Sequence, residues 1–147
     1  MLIPKKYHIH VIAMVAVAAI LLYPLLGNKI DPKSLQQARA AAEAFMALVD
    51  AGDYEAARQN ASTLLQEKIA TEVWHRQIGV MRDRVGQLKE RKQDKAFQSK
   101  YASDAPDGDY ITLEYLSDFE KKTQALETVN LTLEGDGSWR VVGYFIK

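Results

Sequence analysis

An apolar run over residues 9–26 (IHVIAMVAVAAILLYPLL) constrains this chain most, because it holds no charged residue and only one histidine, His10. Eighteen residues at 1.5 Å each make about 27 Å of helix, close to the hydrocarbon thickness of a bilayer. The run is apolar on all sides, which argues against a helix buried in a soluble core. Lys5 and Lys6 precede it. A cleaved signal peptide has the same basic start, but Tyr23-Pro24-Leu25-Leu26-Gly27-Asn28 offers no small-residue cleavage pattern. The expectation is an uncleaved signal anchor over residues 1–28, with a soluble domain over 29–147. The two N-terminal lysines favour a cytoplasmic N-terminus. In a bacterial cell this makes a single-pass inner-membrane protein with its domain in the periplasm. Ala13, Ala16 and Ile20 fall on one stripe at three- and four-residue spacing, a pattern that lets a neighbouring membrane helix approach closely. His8 and His10, two residues apart, lie on different sides of a helix and make a poor metal pair.

The domain reads as α+β. Asp31-Pro32 opens a first helix, with Leu35, Ala38, Ala42, Phe45 and Val49 on one face and Gly52 ending it. Asp53 opens a second helix carrying Tyr54, Ala57, Ala61, Leu64 and Leu65. Thr71 caps a third, with Trp74, Ile78, Met81 and Val85 on one face. Past Gly86 the period shortens to two. Residues 88–101 form a polar, edge-like strand. Ile111, Leu113 and Tyr115 mark a second strand and Val129, Leu131 and Leu133 a third. Trp139, Val141, Gly143 and Phe145 mark the last. The turns Ala105-Pro106-Asp107-Gly108, Lys121-Lys122 and Gly135-Asp136-Gly137-Ser138 make this an antiparallel meander. Three helices on a curved four-stranded sheet is the expected architecture, and Phe45, Trp74, Tyr115 and Trp139 are the expected lining of any apolar pocket between them.

Charge excludes one class of partner. With Lys5 and Lys6 set aside, two of the 19 basic residues, the remainder carries two fewer basic than acidic side chains (19), too acidic for a nucleic-acid binder. The chain has no cysteine, so disulfides, thiolate catalysis and cysteine zinc sites are excluded. No nucleophile elbow, phosphate-binding loop, zinc-protease or dinucleotide motif is present. No catalytic, cofactor-binding or metal-ligating set emerges, and no enzyme is expected. Two titratable residues stand out. His75, beside Trp74, is expected at the surface or its boundary. Glu127 shares parity with Val129, Leu131 and Leu133. It either points into the domain, where an apolar setting would raise its pKa, or pairs with an Arg or Lys near the rim. Residues 82–100 hold seven basic and three acidic side chains, and residues 103–136 nine acidic and two basic. Solvated faces account for this segregation, and a polarised docking surface is the alternative.

Ala41–Tyr54 (AAEAFMALVDAGDY), Ala105–Tyr110 (APDGDY), Glu127-Thr128-Val129 and Trp139–Tyr144 (WRVVGY) resemble the bacterial family called domain of unknown function 4019. The resemblance covers about residues 35–147. Arg58 stands where that family has a Trp. The resemblance implies a secreted or periplasmic bacterial domain and no particular activity. The order of elements is similar to the cone-shaped nuclear-transport-factor-2-like fold, which hosts enzymes, binders and scaffolds alike. The resulting functional expectation is a non-enzymatic, membrane-anchored accessory or scaffold subunit that docks on other membrane-protein subunits. The alternative is a periplasmic binder of a small apolar ligand held in the cone.

Overall fold

The computed structural model describes residues 29–147. The apolar run at 9–26, with Ala13, Ala16 and Ile20, lies outside the described residues, as do His8 and His10. Among the described residues no helix is long and apolar enough to cross a membrane.

Helix α1 spans Pro32–Asp50. Asp31 caps it by accepting from Ser34 N at 2.8 Å, and Pro32 occupies the first turn, where no amide hydrogen is needed. Its three-and-four spacing buries Ala38, Ala42, Phe45, Met46 and Val49. Asp53 then caps α2, Tyr54–Gln59, accepting from Ala56 N at 3.0 Å.

The single second helix expected through Leu65 is in fact two. The chain breaks at Asn60, and Ser62 caps a separate α3, Thr63–Lys68, by accepting from Leu65 N at 3.1 Å. The reason lies in the sheet. Ser62 is fully buried, and its amide donates to Val141 O at 2.8 Å, so the backbone leaves its helical path to pair with the last strand. Four helices therefore stand where three were expected. Helix α4 spans Thr71–Val85, and its cap position falls on Ala70, without a side-chain hydrogen bond, rather than on Thr71. It ends at Gly86, whose φ of +77° is the left-handed conformation glycine adopts readily; a Cβ there would also stand 2.9 Å from Glu120 Oε2.

Four antiparallel strands follow in the order β1-β2-β3-β4, namely β1 Leu88–Ser99, β2 Tyr110–Phe119, β3 Ala125–Leu133 and β4 Trp139–Ile146. Helix α1 lies against β4, β2 and β3. Alternation sorts the strands into two faces. Ile111, Leu113, Tyr115, Val129, Leu131, Val141 and Tyr144 face the helices and are buried. Cross-strand rows such as Phe97–Thr112–Asn130–Gly143 and Lys95–Glu114–Thr128–Phe145 lie on the other side. The β3–β4 register shifts between Asn130 and Leu131, which re-aims β4 beside the site where Ser62 joins it.

Candidate functional site

The helix-facing side of the sheet holds an ionic cluster to which α1, α4 and all four strands each contribute one side chain. Glu127 on β3 has no exposed surface. Arg91 on β1 grips it with Nε at 2.6 Å from Oε2 and Nη2 at 2.9 Å from Oε1. Ser117 on β2 donates to Oε2 at 2.7 Å, and the Tyr144 hydroxyl on β4 donates to Oε1. Arg91 also reaches Asp50, the last residue of α1, through Nη1 at 2.8 Å and Nη2 at 3.1 Å. Arg82 on α4 donates to the same carboxylate at 2.8 Å, and its guanidinium sits 5.0 Å from the centre of the Phe119 ring. Two cations and two anions thus neutralise one another in the interior.

Electrostatics follow from that balance. Burial works against the charge on Arg91, but hydrogen bonds and attraction from Asp50 and Glu127 outweigh it and raise its pKa. Burial, and then the Glu127 charge, raise the pKa of Tyr144, so the phenol stays neutral and remains a donor. Each oxygen of Glu127 accepts two hydrogen bonds, which uses the lone pairs a carboxylate has to offer. A general base needs a lone pair within reach of a substrate proton, and Glu127 has none to spare. Both sequence readings of Glu127 were partly right: it points inward, and it pairs with Arg.

The four residues expected to line a pocket are all buried in the main core. The Phe45 ring packs at 6.0 Å from Trp74 and 5.5 Å from Tyr144, centre to centre. Trp74 Nε1 donates to Tyr54 O at 2.7 Å and borders a cleft of about 340 Å³ that also touches Ile78, Met81 and Tyr144. Tyr115 borders a different hollow of about 300 Å³, with Glu43, Asp50, Arg91 and Gln93 around it. Its buried hydroxyl has no partner among the described residues, and burial together with the nearby Glu43 pushes its pKa up to about 12. Trp139 opens β4 opposite Leu133. The structure therefore joins Phe45 to Trp74 and sets Tyr115 on another hollow.

His75 is exposed, with Nε2 3.0 Å from Glu55 Oε2; that hydrogen bond, and one from Gln59, hold the Glu55 carboxyl below its ordinary range. No cluster of three metal-ligating side chains occurs among the described residues. Arg58 Nη2 donates to Gln66 O at 2.8 Å and Ile69 O at 3.0 Å, closing the C-terminal end of α3.

The other side of the sheet is less regular. A cleft of about 490 Å³ lies between α3, the 100–109 loop and the outer ends of β2, β3 and β4. Thr112 and Asn130 form its floor, with Thr112 Oγ1 donating to Asn130 Oδ1 at 2.8 Å. Asn130 Nδ2 lies over Gly143, 3.3 Å from where a Cβ would stand. Leu64 of α3, Ile69 just past its end, Val142 and Phe145 of β4, and Tyr101 of the loop make apolar walls. Lys68 Nζ reaches across to Asp104 O. Phe97, Tyr101 and Phe145 are exposed on or beside this face.

Sequence reasoning missed Asp50, Arg82, Arg91, Ser117 and Tyr144 as members of one cluster. A signal existed for Ser117, which shares the inward parity of Leu113 and Tyr115. For Arg91 it was blurred, because register irregularities on both sides of it break the alternation of β1.

Comparison with curated proteins and with solved structures finds no significant match. The model of the family described as "Protein of unknown function (DUF4019)" matches residues 41–144, a stretch that contains Asp50, Arg82, Arg91, Ser117, Glu127 and Tyr144 together with the lining of the outer cleft except Phe145. The chain belongs to the DUF4019 family.

Proposed function

We propose that this protein is a membrane-anchored accessory or scaffold subunit that docks on a membrane protein complex and performs no catalysis of its own. Residues 9–26 form its anchor, the N-terminus is cytoplasmic, and the domain stands in the periplasm with the cone shape of the nuclear-transport-factor-2-like fold. The observation that carries this reading is the contrast between saturated and unsaturated groups. The charged side chains on the inner side of the sheet are paired with one another, whereas large apolar side chains stand in solvent on the outer side. Phe97 is 49% and Phe145 52% exposed. Exposed aromatic residues of this kind are the usual anchors of a protein interface. A single-span anchor would confine that face beside membrane partners and raise its effective concentration there. The helix–helix–strand order and the antiparallel meander support the cone.

Photo-cross-linking residues placed at Phe97 and Phe145 in the full chain, in its native membranes, test the docking. The expected result is a discrete cross-link to an integral membrane protein from both positions, and none from an exposed control position at Glu72. A ladder of unrelated products from all three positions would remove the docking claim. The anchor is tested separately: a periplasmic reporter fused after Lys147 should be active and Met1 retained, and a mature N-terminus near residue 28 would refute it.

A further inference from the structure

We propose that the outer cleft binds a small apolar carboxylic acid, with the carboxylate toward Lys68 and Asn130 and the hydrocarbon along α3 and β4. The claim does not depend on the docking role. The cleft's volume, about 490 Å³, falls within the range of small-molecule sites, and its wall residues match the usual pattern of many apolar groups and a few placed polar ones. Three features select the ligand's chemistry. Among the described residues Lys68 is the one charged side chain lining the cleft, so the charge nearest an anion bound there is attractive. Lys68 has three donors and spends one on Asp104 O, while the Thr112 hydroxyl fixes the Asn130 amide with Nδ2 as a second donor above the floor. The walls from Leu64, Ile69 and Phe145 offer nothing to hydrogen-bond and suit a short alkyl or aromatic body.

Gly143 makes the space. A Cβ at this position would press on Asn130 Nδ2 at 3.3 Å and on the Phe145 ring at 3.2 Å. Any larger side chain fills the floor from below without touching the ionic cluster on the opposite side of the sheet. The position, which also borders the cleft beside Trp74, is thus a handle on this floor that leaves the ionic cluster in place.

The test uses the full chain reconstituted in lipid vesicles and radiolabelled decanoate in equilibrium dialysis, with protein-free vesicles subtracted. Saturable binding of one decanoate per chain is expected. Decanol, which keeps the chain and loses the charge, should bind about tenfold more weakly, and Lys68→Met should weaken decanoate by a similar factor. Gly143→Val should abolish the site, and a melting temperature near wild type shows that the fold is kept; Lys68→Met, at the surface, carries the test if that variant does not fold. Uptake equal to empty vesicles would overturn the proposal. Equal affinity for decanoate and decanol, or a Lys68→Met variant that binds decanoate as the wild type does, would overturn the carboxylate assignment.

Discussion

The two sides of this sheet solve opposite problems with similar residues. On the helix-facing side Tyr144, Ser117, Arg91 and Glu127 meet, and each of their side-chain polar atoms finds a partner, because burial leaves unpaired groups costly. On the outer side a tyrosine, a threonine, an asparagine and a lysine surround a cleft, and donors remain unspent because water can serve them. What distinguishes structure from candidate function here is thus the saturation of the polar groups and not their identity. Glu127 illustrates the point. Alone in an apolar pocket it would invite a catalytic reading, yet with four hydrogen bonds it is a fastener joining β3 to β1, β2 and β4.

That contrast can be broken at several depths. The largest effect is expected from Arg91→Met, which leaves Glu127 buried without its cation and Asp50 paired with Arg82 alone. Loss of one partner of such a pair costs about 3–5 kcal/mol, read as a lowered urea midpoint of the full chain in mild detergent. A midpoint unchanged by the substitution would mean that the cluster is solvated. Trp139→Ala, which empties a buried aromatic site between sheet and helices, should also cost about 3–5 kcal/mol. If the melting temperature holds instead, the inward parity of β4 is wrong.

A pair of hydroxyl deletions sharpens the comparison inside the core. Tyr144→Phe removes a donor to a buried carboxylate and should cost about 1.5–3 kcal/mol. Tyr115→Phe removes a buried hydroxyl that has no partner among the described residues, so stability should hold or rise slightly. Equal losses for the two would show that the Tyr115 hydroxyl is also engaged.

The smallest effect concerns acid. Asp31 is held low chiefly by its hydrogen bond from Ser34 N and Asp136 by one from Ser138 N. Burial works against the charge on Glu134, but hydrogen bonds from Thr63 and Arg140 outweigh it. Carboxyls with depressed folded pKa values stabilise the domain fully above their ordinary values of 3.8 to 4.5, and that share fades as pH falls through the depressed ones. A thermal-melting series should be flat from neutral pH down to about 5 and slope shallowly below it. A steep loss already at pH 6 would point to the interior instead.

Much of the fold was legible in the sequence because local and global signals agree. Asp31-Pro32, Gly52 and Asp53 punctuate the helices through their own backbone chemistry, and Ile111–Tyr115 and Val129–Leu133 carry a clean period of two. The split between α2 and α3 was not legible, since Ala57, Ala61 and Leu65 keep a helical spacing while Ser62 answers to a strand roughly eighty positions later in the chain. The ionic cluster was hidden for a similar reason. Asp50, Arg82 and Arg91 each look like ordinary surface charges within their own elements, and only the packing of α1 and α4 on the sheet turns them toward Glu127. The outer cleft depends on where α3 and the 100–109 loop settle, which no local period encodes.

The central claim is that the inner side holds the domain together and the outer side serves its partner. The direct measurement is the yield of native partner co-purified with the full chain carrying Phe97→Asp and Phe145→Asp, alongside that variant's melting temperature. Exposed sites like these should change stability by no more than about 0.5 kcal/mol. The account predicts a melting temperature close to wild type and loss of the partner. A partner retained at wild-type yield by the folded variant would contradict it.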